Sequence, residues 1–319
     1  MVVNNNKYCA YREYTVDMPT HYILCHHGVL GGSMDFRRFE KHFKSIEKTH
    51  LVILKSNERV TRTLDGVSDA GERCAKEIVN FVSSLNHDEH QYLSVIGHSM
   101  GGVTLRFALR RIEEEQPDFW ERMKIKRRLA IFIACPHVGL SSSSSWFIRT
   151  TSQYIWRHLS RTAADLTLNT DVLASLTDDV AMMSLDAFDR ICLMGNAHGD
   201  RLVSATSALI LMHVDTSIPD SIVTKGHSSA EIMQYVVPLK QVENDEMRPD
   251  QQVLIERING KLGDKIVRYL VFFPTSYPSF MQGIDNSAHT KIIAHGFKDI
   301  FGAGMPVVEF VSNLILEFS

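Results

Sequence analysis

Cysteine is scarce. The five in 319 residues (Cys9, Cys25, Cys74, Cys135, Cys192) are odd in number and scattered, and no CxxC occurs. That pattern excludes a disulfide framework and a thiolate zinc site. Cys25, Cys135 and Cys192 lie in apolar, strand-like runs and read as reduced, buried thiols in a reducing compartment. A basic excess is also lacking: 34 Lys and Arg face 37 Asp and Glu, for a net charge of −3. A dedicated nucleic-acid binder, which must displace counterions from phosphates, is thereby excluded. Long apolar runs are missing too. LAIFIAC and YLVFF fall far short of the roughly 20 residues a membrane-spanning helix needs. The opening MVVNNNKYCAYREYTVD has no basic stretch followed by an apolar one, so no secretory signal is visible. The expected location is cytoplasmic, with peripheral contact to a membrane or lipid surface allowed. Fifteen histidines are present, yet no HExxH appears, and no metal is expected. HHGVLGG is not GxGxxG, and no acidic residue stands where a ribose would be held, so a dinucleotide fold is excluded.

What is present is an ordinary globular composition, 44% hydrophobic and 22% charged. Such a chain can bury a full core. Short apolar runs alternate with amphipathic patterns. YILCH (22–26), HLVILK (50–55), YLSVIG (92–97), LAIFIAC (129–135), RICLMG (190–195) and IVRYLVFF (266–273) have the length of strands buried on both faces. Between them Phe36, Phe39 and Phe43, then Ala70, Cys74, Ile78 and Val82, then Leu105, Leu109 and Ile112 repeat at helical spacing. Near the end Pro306 suits a first helical turn, and Val307, Val311, Leu314 and Phe318 form one stripe. This alternation predicts a doubly wound, mostly parallel α/β sheet forming one domain over 1–319. The alternation breaks at about 141–188, which opens on Ser141–Ser145 and has helical character without a good strand. A second irregular stretch covers about 214–250.

The chemistry is concentrated at Gly97-His98-Ser99-Met100-Gly101, a GxSxG followed by Gly102. Alone the motif is weak. Here it directly follows an apolar strand run and directly precedes the helical pattern of 103–112. A strand-to-helix turn this tight lifts the serine hydroxyl above the sheet, and side chains two residues before or after it would collide with strand and helix. The hydroxyl then lies at a helix N-terminus, whose partial positive charge favours developing negative charge. Acyl transfer also needs two backbone N–H donors for an oxyanion. Met100, next after the serine, supplies one. His26-His27-Gly28-Val29-Leu30-Gly31-Gly32 follows the first strand, and the N–H of Val29 is the second candidate. His26 and His27 are adjacent, so in a strand their side chains would point to opposite faces.

A serine of this kind takes its acid and its histidine from later in the chain. The acid belongs after the next-to-last strand, RICLMG, where Asn196-Ala197-His198-Gly199-Asp200 follows; Asp200 is the only carboxylate there, and Asp189 lies at the wrong end. Asp285 and Asp264 are lesser rivals, and Asp285 could instead cap a helix near Ser287. The histidines after the acid are His213, His227, His289 and His295. His213, inside LILMHV, reads as a core residue, and His227 precedes the last strand. His289 and His295 follow it; His289 is preferred and His295 is the alternative.

With these residues assembled, the chain resembles the serine esterase family of eukaryotic lipase-like proteins. HHGVLGG, TLDGVSDAGERCAKEI, GHSMGG, Ala134-Cys135-Pro136-His137-Val138-Gly139, NAHGDRLVSATSAL and NSAHTKII carry the likeness. The resemblance implies an α/β-hydrolase fold, action on acyl esters without a cofactor, and roles for Ser99 as nucleophile, Asp200 as acid and His289 as base. It assigns no chemistry to His137, which reads as a brace at a strand end. Residues 141–188 fall where such folds insert a helical cap or lid. Within them WFIRTTSQYIWRHLSR (146–161) combines aromatics and arginines without a carboxylate, the composition of a helix that contacts a lipid surface or packs on the domain.

Overall fold

The computed structural model describes residues 19–140, 160–200, 202–217, 230–237, 247–273, 288–295 and 302–319. Its strands are β1 (His21–His26), β2 (Thr49–Ile53), β3 (Gln91–His98), β4 (Ile125–Ile133), β5 (Arg190–Asn196), β6 (Glu231–Gln234) and β7 (Ile266–Phe272). They form one seven-stranded sheet in the order β2-β1-β3-β4-β5-β7-β6. Neighbours are parallel except β6, which runs antiparallel to β7 at the sheet edge. The helices are α1 (Arg37–Phe43), α2 (Val67–Ser83), α3 (Met100–Glu115), α4 (Phe119–Arg122), α5 (Arg161–Leu166), α6 (Val172–Ser175), α7 (Asp179–Asp186), α8 (Ala205–Leu209), α9 (Pro249–Leu262), α10 (Ala288–Lys291) and α11 (Met305–Glu317).

The inner strands read as apolar runs because both faces are covered, whereas the edge strands β2 and β6 are partly exposed. In β1, Leu24 faces one core while Ile23 and Cys25 face the other; in β4, Ala130 and Phe132 oppose Leu129, Ile131 and Ile133. The first core takes Ala70, Cys74, Ile78 and Val82 of α2, together with α3 and α9. The second takes Phe39 and Phe43 of α1 and Val307, Val311 and Leu314 of α11, the stripe that starts beside Pro306. Each fully buried Leu, Ile or Phe contributes about 1.5–3 kcal/mol, so this double packing fixes where the strand ends lie. The β3–β4 register shifts between Leu93 and Val95. Ser94 repairs the ladder there, its hydroxyl oxygen accepting from the Leu129 N–H at 3.1 Å, with His21 Nε2 at 2.8 Å.

The structure departs from the sequence pattern at three places. The stretch 214–250 contains β6, which four residues of mixed polarity (EIMQ) do not announce; pairing on one side only, it needs no apolar alternation. His213 is exposed, because the chain leaves α8 through Ile210 in the left-handed region (φ 55°) and residues 211–217 run irregularly. His26 and His27 do not point apart: β1 stops at His26, the alternation ends with it, and the two rings stack 5.1 Å apart. Of 141–188, residues 160–188 form α5, α6 and α7. α7 packs along α3, and Asp165 Oδ2 accepts the Val67 N–H at the start of α2 at 2.8 Å. The aromatic stretch 146–159 lies outside the described residues, as do Asp285, His227 and Cys9.

Candidate active site

The carboxyl ends of the parallel strands carry the site, the usual place for ligands in such sheets. β3 ends at His98, and α3 begins at Met100, with Ser99 alone between them. Ser99 has φ 54° and ψ −132°. A side chain in this region costs of order 1–3 kcal/mol and persists only where neighbours hold it. Here the Ser99 N–H donates to Ile133 O (2.9 Å), and Ser99 O accepts from Gly102 N (3.1 Å). The flanking glycines are required by contact. A Cβ on Gly97 would lie 2.3 Å from the Gly102 Cα, and one on Gly101 would lie 2.2 Å from the His26 carbonyl oxygen.

The loop after β1 runs against the serine: a Cβ on Gly28 would stand 2.8 Å from Ser99 Cβ and 3.2 Å from its Oγ. That places the 28–29 backbone beside the hydroxyl. Among the described residues the Val29 N–H has no acceptor. The Met100 N–H belongs to the first turn of α3, where no carbonyl within the helix can accept it. A buried network braces this loop. His26 Nδ1–H donates to His27 O (2.8 Å), and His26 Nε2 accepts from Asn57 Nδ2 (3.0 Å). Asn57 Oδ1 in turn accepts from Arg73 Nε (2.8 Å). Burial lowers the His26 pKa to about 3, helped by the neighbouring His27, so the ring stays neutral.

His289 lies on α10, buried. Its Nε2 is 2.8 Å from Ser99 Oγ, and its Nδ1 is 2.9 Å from Asp200 Oδ2. Asp200 follows β5 and is itself held: Oδ2 also accepts from Asn196 Nδ2 (2.8 Å), and Oδ1 accepts the N–H groups of Leu202 (3.0 Å) and Val203 (2.9 Å). Burial alone would raise the Asp200 carboxyl. The His289 charge and hydrogen bond, the Val203 N–H and the Asn196 amide outweigh burial and hold it below 3.8. With Oδ2 accepting at Nδ1, the imidazole carries its proton there and presents a bare Nε2 to the serine hydroxyl.

The other candidates lie elsewhere. His295 pairs with Asp35 (Nε2 to Oδ1, 3.3 Å), near the start of α1. Asp264 is exposed beside the amino end of β7, the opposite end of the sheet, and Asp189 pairs with Arg128. His137 is buried against Phe132 and takes a hydrogen bond from Arg106 of α3 on Nδ1 (3.2 Å). Arg106 also donates to the carbonyls of His137 and Leu176, and burial lowers its pKa to about 10. Asn196 and Asn57 were not singled out by sequence reasoning. An Asn at a strand end four residues before the acid was a legible sign for the first; Asn57 has no local signature. Among the described residues no group of three or more His, Cys, Asp or Glu is placed to hold a metal ion. No helix among them is long and apolar enough to cross a membrane.

A mostly parallel sheet of this order, with a strained serine between its third strand and the following helix, defines an α/β-hydrolase. The profile of the putative serine esterase family matches residues 17–214, well over half of the chain, and the chain belongs to that family. Two proteins of Saccharomyces cerevisiae are similar over shorter stretches. "Putative lipase YDR444W" is 26% identical over 142 residues, 41% of this chain and 21% of the yeast protein. "Putative lipase ROG1" is 26% identical over 174 residues, 53% and 24% respectively. The matches thus span less than a quarter of either relative. Among solved structures, Aspergillus fumigatus lipase B is 14% identical at a TM-score of 0.40, covering 59% of this chain and 40% of that one. A lipase-esterase related protein from Clostridium acetobutylicum is 12% identical at 0.42, covering 93% and 95%. Likenesses at this distance carry no argument about site or substrate.

Proposed function

We propose that the protein hydrolyses carboxylic esters through an acyl-enzyme on Ser99, with acyl lipids as the substrate class. The observation that carries this reading is the unbroken hydrogen-bonded line Asp200–His289–Ser99, at 2.9 and 2.8 Å, ending on a hydroxyl at a helix N-terminus. His289 Nε2 takes the hydroxyl proton as Oγ bonds to the ester carbonyl carbon. Asp200 stabilises the imidazolium that forms. The N–H groups of Val29 and Met100 receive the oxyanion, each such donor contributing about 2.7–4 kcal/mol to the barrier reduction. The ester C–O bond breaks, the alcohol leaves with the proton from Nε2, and water repeats the sequence on the acyl-serine. Lipid as the acyl source is supported by the yeast relatives' designation as lipases and by the family match.

The experiment is a series of model esters of increasing acyl length, offered to the purified protein as monomers and on a lipid surface. Turnover that rises with chain length and with lipid surface is expected. Cleavage of acyl thioesters but of no oxygen ester would contradict the substrate assignment, and turnover confined to the shortest esters would contradict the lipid assignment.

A further inference from the structure

We propose that His98 is a positioning residue: by donating its Nε2–H to the main-chain carbonyl of His289, it sets where the His289 ring meets the Ser99 hydroxyl. The inference rests on the ester-hydrolase reading of the same site. His98 is the last residue of β3, buried at 3% exposure, and its Nε2 stands 2.7 Å from His289 O. The two rings lie 4.9 Å apart, tilted by 43°. A carbonyl oxygen only accepts, so Nε2 carries the proton and Nδ1 is bare. Nδ1 has no hydrogen-bond partner among the described residues, so the ring's one directed contact is with His289. Burial, with the neighbouring His289 charge, lowers the His98 pKa to about 3, so near neutral pH the ring is uncharged and carries a single proton.

The need for such a tie follows from where His289 sits. α10 has four residues, and a single turn cannot hold itself in place. Its position must come from contacts with the body of the domain. At the far end of the same described segment, His295 reaches Asp35. Ile292 and Ile293 pack into the second core, and at the near end His98 adds a directed hydrogen bond to His289 itself. The last residue of β3 and the one after it therefore grip one residue of α10: Ser99 meets its Nε2, and His98 holds its carbonyl. With Asp200 on Nδ1, His289 is fixed at three atoms, and among the described residues the His98 contact is the one side-chain hydrogen bond to its backbone. A misplacement of about 1 Å in a reacting group can cost on the order of a hundredfold in rate.

The test compares His98→Leu, which keeps bulk without a donor, with His98→Gln, whose amide N–H reaches about as far as Nε2. Three readouts are followed: kcat and KM, the downfield Nδ1–H proton resonance of the His289–Asp200 pair, and the nitrogen shifts of His98 in the unmutated protein. Expected are a kcat about 10- to 100-fold lower in the Leu variant with KM within about twofold, substantial recovery of kcat in the Gln variant, and a downfield resonance weakened by Leu and restored by Gln. Unmutated His98 should show the Nε2-protonated neutral tautomer. A Leu variant with unmutated kcat and resonance would overturn the proposal. So would an Nδ1-protonated His98, a result that stands even if neither variant folds. Were the unmutated protein to cleave no ester, the hydrolase reading would fail, while the tautomer and the resonance would still decide whether His98 positions His289.

Discussion

Replacing Ser99 by alanine is expected to lower kcat for ester hydrolysis by about ten-thousand- to million-fold, because the three groups act as a unit and loss of one forfeits most of their joint effect. The fold should survive. Ser99 is half-buried, and its strained backbone is held by main-chain bonds to Ile133 and Gly102 that alanine also makes. The stability change should stay within about 1 kcal/mol. Asp200→Asn is the informative companion. Its amide could donate to His289 Nδ1 and favour the tautomer with a protonated Nε2, which cannot accept the serine proton. A loss of about a thousand- to ten-thousand-fold is expected. Steady-state turnover of one soluble ester, with thermal melts of all three proteins, reads both effects. Near-normal turnover by a well-folded Ser99→Ala protein would remove Ser99 from the chemistry.

Acid should destabilise the protein at an unusually mild pH. His21, His26, His98 and His137 are all buried, and burial is the first cause holding each in its neutral form. His21 is lowered to about 4, His26 and His98 to about 3, and His137 well below its ordinary value of 6.5. Between 6.5 and these lowered values the unfolded chain binds protons that the folded chain refuses, so stability falls as pH falls. Each histidine contributes at most about 1.4 kcal/mol per pH unit. From pH 7 to pH 5 the four together should remove about 4–8 kcal/mol, a large share of the 5–15 kcal/mol typical of a domain. The melting temperature should drop by about 6–12 °C over that interval. Asp200 acts in a lower window: its pKa is also depressed, though by its hydrogen-bond and charge partners against burial rather than by burial. Its carboxyl is held below 3.8, so its contribution is complete above that value and is lost only as pH falls through the depressed one. An unchanged melting temperature between pH 7 and pH 5 would contradict the neutral, buried state of the four rings.

How much of this could be read from the residues alone depends on the range of the interaction. The six parallel strands were legible because the inner ones are buried on both faces and read as apolar runs, and even the half-exposed edge strand β2 keeps the apolar stretch LVI; each of the six overlaps an apolar run of the sequence. The turn at Ser99 was legible because its constraints are local: Gly97 and Gly101 are needed by contacts within a few residues or with the adjoining strand. Chain order then pointed to Asp200 and His289, which the structure brings together with Ser99, while His295 is drawn aside by Asp35. Asn196 apart, the partners that brace the site were not legible. Asn57 braces His26 across 31 positions, and His98 reaches His289 across 191, distances over which no spacing rule operates. β6 escaped notice because an edge strand of four residues carries too little pattern, and His213 was misread because after the left-handed Ile210 the chain runs irregularly and exposes His213 while Leu211 and Val214 stay buried.

The most direct test of the central claim, that the hydroxyl at position 99 is made nucleophilic by His289, is to treat the native protein with a fluorophosphonate at neutral pH and locate the adduct by peptide mass spectrometry. A single phosphonyl group on Ser99, absent when His289 is replaced by alanine, is the predicted result. No adduct, an adduct on another serine, or labelling of Ser99 that proceeds equally well without His289 would contradict it.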